Sequence, residues 1–241
     1  MIPVIRFVAV ALSALVWLIA PARAADVEQR APDAKSTGKV YEWTAKCGIV
    51  YRYRLPKGFD PNEGARLTFV LHGSNLDRRW GFANHSADTF RPDDVVVCPD
   101  GTTSNGNGGF NSLQSPKDVK LFRALHEELI ETLGIRSTYV YGHSQGSFFA
   151  LLYAGEAPEL VNGVVAHASG VWNGTRIDKA RHHQAIVLMH GTADPVVPFG
   201  QSVGAYGLYR DAGYPSVRLR ALQGWNHWPA EANGSIGGSF I

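Results

Sequence analysis

Five short apolar runs recur along this chain, each closed by glycine or other small or turn residues. They are "LTFVLHG" (67–73), "DVVVCPDG" (94–101), "TYVYG" (138–142), "GVVAHAS" (163–169) and "AIVLMHG" (185–191). A strand that is apolar throughout is buried on both faces, the condition of a parallel strand inside a helix-covered sheet. The segments between them carry a different period. In "DVKLFRALHEELIETLG" (118–134), Val119, Phe122, Leu125, Leu129 and Leu133 are spaced by three and four, and Gly134 stops the pattern. That spacing predicts an amphipathic helix. A second helix is expected from about Gln145 and a third over "FGQSVGAYGLYRDAG" (199–213), where Gly204 and Gly207 lower the helical propensity. "GIVYRYRLP" (48–56) reads as a strand by alternation and aromatic content, and "VRLRAL" (217–222) as the last strand. Alternating strands and helices with apolar strands imply an α/β fold with both sheet faces covered.

The chain has 241 residues, a length that suits one domain with one sizeable core. Its first segment combines Arg6, an apolar run from Phe7 to Ala20 and the A-x-A site Ala22-Arg23-Ala24. These are the parts of a secretory signal peptide, and the run is short for a membrane span of about 20 residues. The expected organisation is a signal peptide over 1–24, a mobile polar arm over 25–39 and a catalytic domain over 40–241. Export to the periplasm or the medium follows, with no membrane anchor after cleavage. Cleavage removes Arg6 and Arg23 and no acid, which leaves 21 Lys+Arg (23 − 2) against 21 Asp+Glu. No basic stripe remains to neutralise phosphates, which excludes a nucleic-acid partner.

Chemistry concentrates where the strands end. Gly142-His143-Ser144-Gln145-Gly146 follows a strand and opens a helix, the context that makes a G-x-S-x-G match specific. Small residues are needed at so sharp a turn. The helix N-terminus behind the serine favours developing negative charge. A serine nucleophile needs a base and an orienting acid, in the order Ser, Asp or Glu, His. "MHGTADPVVP" places Asp194 after one strand and "LQGWNHWP" places His227 after the next. Singly, Asp194 before Pro195 fits a turn and His227 a solvated loop; the ordered trio points to Ser144 attack, His227 as base and Asp194 as its orienting partner. The oxyanion hole is expected from the amides of Gln145 and of Ser74 or its neighbour. His72 reads as a structural hydrogen-bonding residue, and the remaining histidines, including His182-His183, lack metal-ligand spacing.

"VLHGS", "VCPDG", "GHSQG", "HGTADPVVP" and "GWNHWP" together resemble the α/β-hydrolase esterases grouped with poly(3-hydroxybutyrate) depolymerases, feruloyl esterases and acetylxylan esterases. The resemblance runs from about Val40 to Pro229. It implies an α/β-hydrolase fold, a mostly parallel central sheet flanked by helices, without a large lid. It also implies a carboxylic ester hydrolase that forms an acyl-enzyme and needs no metal or other cofactor. Ser144, Asp194 and His227 match the triad, and Ser74 and Gln145 the oxyanion positions. Only 14 residues follow His227 (241 − 227), where relatives place a further helix; either the chain is truncated or that part of the sheet is uncovered.

The linker "GVWNGTRIDKARHHQ" is too short for a helical lid, so an open site taking bulky, polymeric or plant-derived esters is expected. The polar loop "DGTTSNGNGGFNS" (100–112) and Trp172, Trp225 and Trp228 are candidates to line a substrate subsite, or else to pack in core and rim. A serine peptidase or thioesterase on the same scaffold, and a non-catalytic binding protein, are the competing readings. In the topology that the resemblance implies, the second strand runs antiparallel beside the fourth. Cys47, just before the second, and Cys98, closing the fourth, are then expected to form a disulfide.

Overall fold

The computed structural model describes residues 27–33, 38–84, 91–101, 117–178 and 184–228. The segment 1–24 expected to be a signal peptide, His182-His183, most of the 100–112 loop and the segment after Trp228 lie outside the described residues.

Eight strands form one sheet: β1 (Val40–Thr44), β2 (Val50–Arg54), β3 (Ala65–Leu71), β4 (Asp94–Pro99), β5 (Ile135–His143), β6 (Gly163–His167), β7 (Ala185–Gly191) and β8 (Val217–Leu222). Their order across the sheet is β1-β2-β4-β3-β5-β6-β7-β8. β1–β2 and β2–β4 pair antiparallel, and every other neighbour pairs parallel. The interior strands β4 and β6 are buried at every position, as their mostly apolar text requires, and buried Asp94 at the start of β4 is ion-paired with Arg66. β8, at the edge, alternates instead, with Arg218 and Arg220 exposed. Charge on an edge strand discourages pairing with another chain.

Four helices are described: α1 (Arg79–Asn84), α2 (Lys117–Leu133), α3 (Gln145–Glu156) and α4 (Gly200–Asp211). Phe122, Leu125, Leu129 and Leu133 of α2, Phe149 and Tyr153 of α3, and Ala205 and Tyr209 of α4 join one buried cluster with Leu67, Phe69, Val95 and Val97 of the sheet. A smaller cluster on the other face holds Trp80 of α1 with Val70, Val96, Cys98, Tyr141, Val187 and Met189. Gly204 and Gly207 lie on the open side of α4. They therefore cost propensity without disturbing the packed side.

Among the described residues of the 25–39 arm, Gln29 bridges Glu42, the Arg30 amide donates to Glu42 O at 3.0 Å, and the Glu42 amide donates to Glu28 O at 3.1 Å. One expectation is corrected. The disulfide is absent, and Cys47 and Cys98 are both free thiols. β2 and β4 do pair antiparallel, with Arg52 opposite Cys98. Side chains alternate along a strand, however, so Cys98 shares the α1 face with Val96 while Val95 and Val97 face α2. Cys47 packs against the α2-side cluster. The two sulfurs lie on opposite sides of the sheet, and burial pushes the Cys98 thiol well above its ordinary value.

Candidate active site

The turn from β5 into α3 is as sharp as its glycines suggest. Ser144 has φ 52° and ψ −122°, a conformation rare for a residue with a side chain. Strain of that kind costs roughly 1–3 kcal/mol and persists only where surrounding structure enforces it. Enforcement is visible: the Ser144 amide donates to His167 O at 2.9 Å, and the Ser147 hydroxyl bonds both Gly142 O and His167 O at 3.0 Å. A Cβ on Gly142 would sit 2.5 Å from Gly146 O, and one on Gly146 would sit 2.4 Å from His72 O. Both glycines are therefore required by close approach.

Asp194 lies in the loop after β7, its side chain fully buried. Its Oδ1 accepts from the amides of Val196 and Val197 at 2.8 and 2.9 Å, and its Oδ2 accepts from His227 Nδ1 at 2.7 Å. Burial opposes the charged form of Asp194. The hydrogen bonds from His227, Val197 and Val196 outweigh it and hold the carboxyl below the ordinary carboxylate range. His227 is delivered by the loop after β8. That loop crosses Gly191 so closely that a Cβ there would meet Trp225 O at 2.2 Å and Asn226 O at 2.5 Å. Ala193 N donates to Trp225 O at 3.0 Å, fastening the two loops together.

Ser144 and His227 line one cavity of about 170 Å³, together with Gly73, Ser74, Leu76, His143, Val196 and Trp228. Nδ1 of His227 faces Asp194, so Nε2 is the nitrogen left for chemistry. Ser74 is thus at the cavity wall, and Gln145 is the first residue of α3. His143 does not act beside Ser144 as a base: its Nε2 donates to His227 O at 2.8 Å, and its ring stacks on Trp80 at 5.4 Å. His72 is structural as expected, its Nδ1 donating to Gly73 O at 2.8 Å and its Nε2 accepting from Gly101 N at 3.3 Å. Burial lowers its proton affinity.

The tryptophans divide. Trp228 is 54% exposed at the cavity mouth. Trp225 packs against the α1-side cluster, and its backbone is the part that serves the site. Trp172 stacks on Phe148 at 5.5 Å and lines a separate cavity with Ile177 and Leu208. Neither Trp172 nor Trp225 is among the residues lining the Ser144 cavity. Sequence reasoning did not single out Val196, Leu76 or the buried His190 beside Asp194. Among the described residues, no group of three or more His, Cys, Asp or Glu side chains could hold a metal ion.

The sheet order, the strained serine corner and the Asp–His pair define this as an α/β-hydrolase fold. A family profile for the alpha/beta hydrolase fold matches residues 106–185. No curated protein matches the sequence significantly. Among solved structures, a ferulic acid esterase superposes with TM-score 0.63 at 13% identity, over 80% of this chain and 95% of that one. Est1E from Butyrivibrio proteoclasticus gives 0.60 at 13%, covering 81% and 94%. Esterase PE8 gives 0.58 at 24%, covering 75% and 91%.

Proposed function

We propose that the protein is an exported serine hydrolase that cleaves carboxylic esters through an acyl-enzyme intermediate. One observation carries the reading: His227 is hydrogen-bonded to buried Asp194 at 2.7 Å and shares a cavity with Ser144 on its strained corner. In this scheme His227 Nε2 takes the Ser144 proton as the oxygen attacks the ester carbonyl, then returns it to the leaving alcohol. Asp194 holds the tautomer and stabilises the imidazolium. The amides of Gln145 and of Ser74 or its neighbour receive the oxyanion, with the α3 N-terminus behind them. A water activated by His227 then releases the acid.

The apolar part of the wall, Leu76, Val196 and Trp228, suits a small or planar acyl unit, while the rest of a bulky or polymeric substrate stays outside. Hydroxybutyrate oligomers, feruloyl esters and acetylated xylan all have that shape. The Est1E structure solved with ferulic acid bound has the same fold, which favours including feruloyl esters. The test is a panel of p-nitrophenyl acetate and butyrate, methyl ferulate, acetylated xylan, hydroxybutyrate oligomers, an acyl thioester and a peptide. Ester turnover that exceeds thioester and peptide turnover supports the proposal. Cleavage of the peptide or thioester alone refutes it.

A further inference from the structure

His190 is the penultimate residue of β7, four residues before Asp194, and its side chain is fully buried. Its Nε2 faces only acceptors, Asp194 Oδ2 at 3.1 Å and Val197 O at 2.9 Å, so this nitrogen carries a hydrogen. Its Nδ1 is 2.7 Å from Ser202 Oγ on α4, and that hydroxyl also reaches Ser169 O at 2.5 Å beyond β6. The ring edge rests against Phe199 at 5.8 Å. Three separate parts of the fold therefore fix this imidazole.

The consequence falls on Asp194. With two amides on Oδ1 and two imidazoles on Oδ2, its carboxylate meets four donors, about as many as an ionised carboxylate can accept. The groups facing it are His190 from β7, His227 from the loop after β8, and, behind His227, His143 from the serine corner. Among the described residues, α4, the residue before it and the chain after β6 present the Ser202 hydroxyl, the Phe199 ring and the Ser169 carbonyl. His190 is not among the residues lining the Ser144 cavity.

We infer that His190 is a positioning residue: its Nε2–H aims Asp194 Oδ2 at His227 and draws charge from the oxygen that His227 uses. The inference rests on the reading of Ser144, His227 and Asp194 as the catalytic machinery. Without the His190 donor, Oδ2 holds the His227 imidazolium more strongly, so His227 stays protonated to higher pH. The carboxylate, still anchored at Oδ1 by the Val196 and Val197 amides, is held less firmly at Oδ2, which slows proton transfer without touching substrate binding.

The experiment compares His190→Phe with His190→Gln, whose amide nitrogen reaches the place of Nε2. In His190→Phe, kcat for p-nitrophenyl acetate falls at least about tenfold with KM within about twofold. The acid limb of the rate profile and the His227 titration midpoint, followed by ¹⁵N NMR, both move up by about half a pH unit or more. His190→Gln recovers most of both. A folded His190→Phe with kcat within about twofold and an unmoved midpoint overturns the inference, as does a His190→Gln no better than Phe. Should His190→Phe not fold, ¹⁵N spectra of the wild-type protein decide: a proton on His190 Nε2 that responds as His227 titrates is expected, and an unprotonated or unresponsive Nε2 overturns it. A wild-type protein that hydrolyses no ester counts against the proposed function instead, and the NMR arm still tests His190.

Discussion

Gly191→Ala separates a local packing fault from a catalytic one. The added methyl would stand 2.2 Å from Trp225 O and 2.5 Å from Asn226 O, against an ordinary carbon–oxygen contact of roughly 3.3–3.6 Å. Both obstacles are backbone, so no side chain can rotate away, and the loop must retreat by about 1 Å. His227 is two residues from Trp225 on that loop, so the same retreat lengthens the 2.7 Å bond to Asp194 and moves Nε2 from the serine. Misplacement of about 1 Å costs on the order of 10²-fold in rate. Overpacking adds about 1–3 kcal/mol of instability, or roughly 2–12 °C in melting temperature for a domain of this size. The assay is kcat and KM on p-nitrophenyl acetate at 20 °C, with thermal unfolding by circular dichroism alongside. The expected result is a folded protein with kcat reduced about 100-fold and a small change in KM. A kcat within about threefold of wild type, despite the added methyl, would refute the claim that Gly191 sets the approach of the His227 loop.

Trp228→Ala should raise KM about three- to tenfold with little change in kcat, because an exposed ring at the cavity mouth contributes roughly 0.5–1.5 kcal/mol of contact; unchanged KM on every aromatic and aliphatic ester would remove it from the site. Glu42 binds Arg78, Arg52 and Gln29, and the Arg78 hydrogen bond, working against burial, brings its carboxyl down from 4.5 to about 2. A lowered folded-state value means the associated stability is fully present above pH 4.5 and is lost as pH falls toward 2. That amounts to about 3 kcal/mol, and Glu42→Gln should remove most of this acid-side slope in unfolding free energy. An unchanged slope would show that the ion network does not hold the arm and β1 in place.

The strands and helices that the sequence reveals are those whose burial leaves a pattern. β3, β4, β5, β6 and β7 are apolar because helices cover the sheet, and α2 shows its period because one side packs. β1 is short and half-buried, and its Glu42 faces arginines rather than core, so neither period marks it. α1 has six residues, less than two turns, which is too few for a helical repeat to show. The trio Ser144, Asp194 and His227 is legible because strand ends and chain order survive in one dimension. The face of Cys98 is also legible, from its parity with Val96, but pairing two strand ends without counting the alternation leads to the wrong bond. His190 left one trace, its place four residues before Asp194, and a strand-end histidine has too many other uses for that to suffice. Which of Trp172, Trp225 and Trp228 reaches the cavity depends on loop paths that no local pattern encodes; of these three, Trp228 does.

A fluorophosphonate probe, incubated with the wild-type protein and with Ser144→Ala and followed by intact mass and peptide mapping, decides whether Ser144 is a nucleophile driven by His227. One label per wild-type chain is expected, located on Ser144 and appearing together with loss of ester hydrolysis. Ser144→Ala should keep the wild-type circular dichroism spectrum, take no label and lose activity by roughly 10⁴-fold or more. Label on another residue, or a Ser144→Ala protein that hydrolyses esters within about tenfold of wild type, would contradict that role.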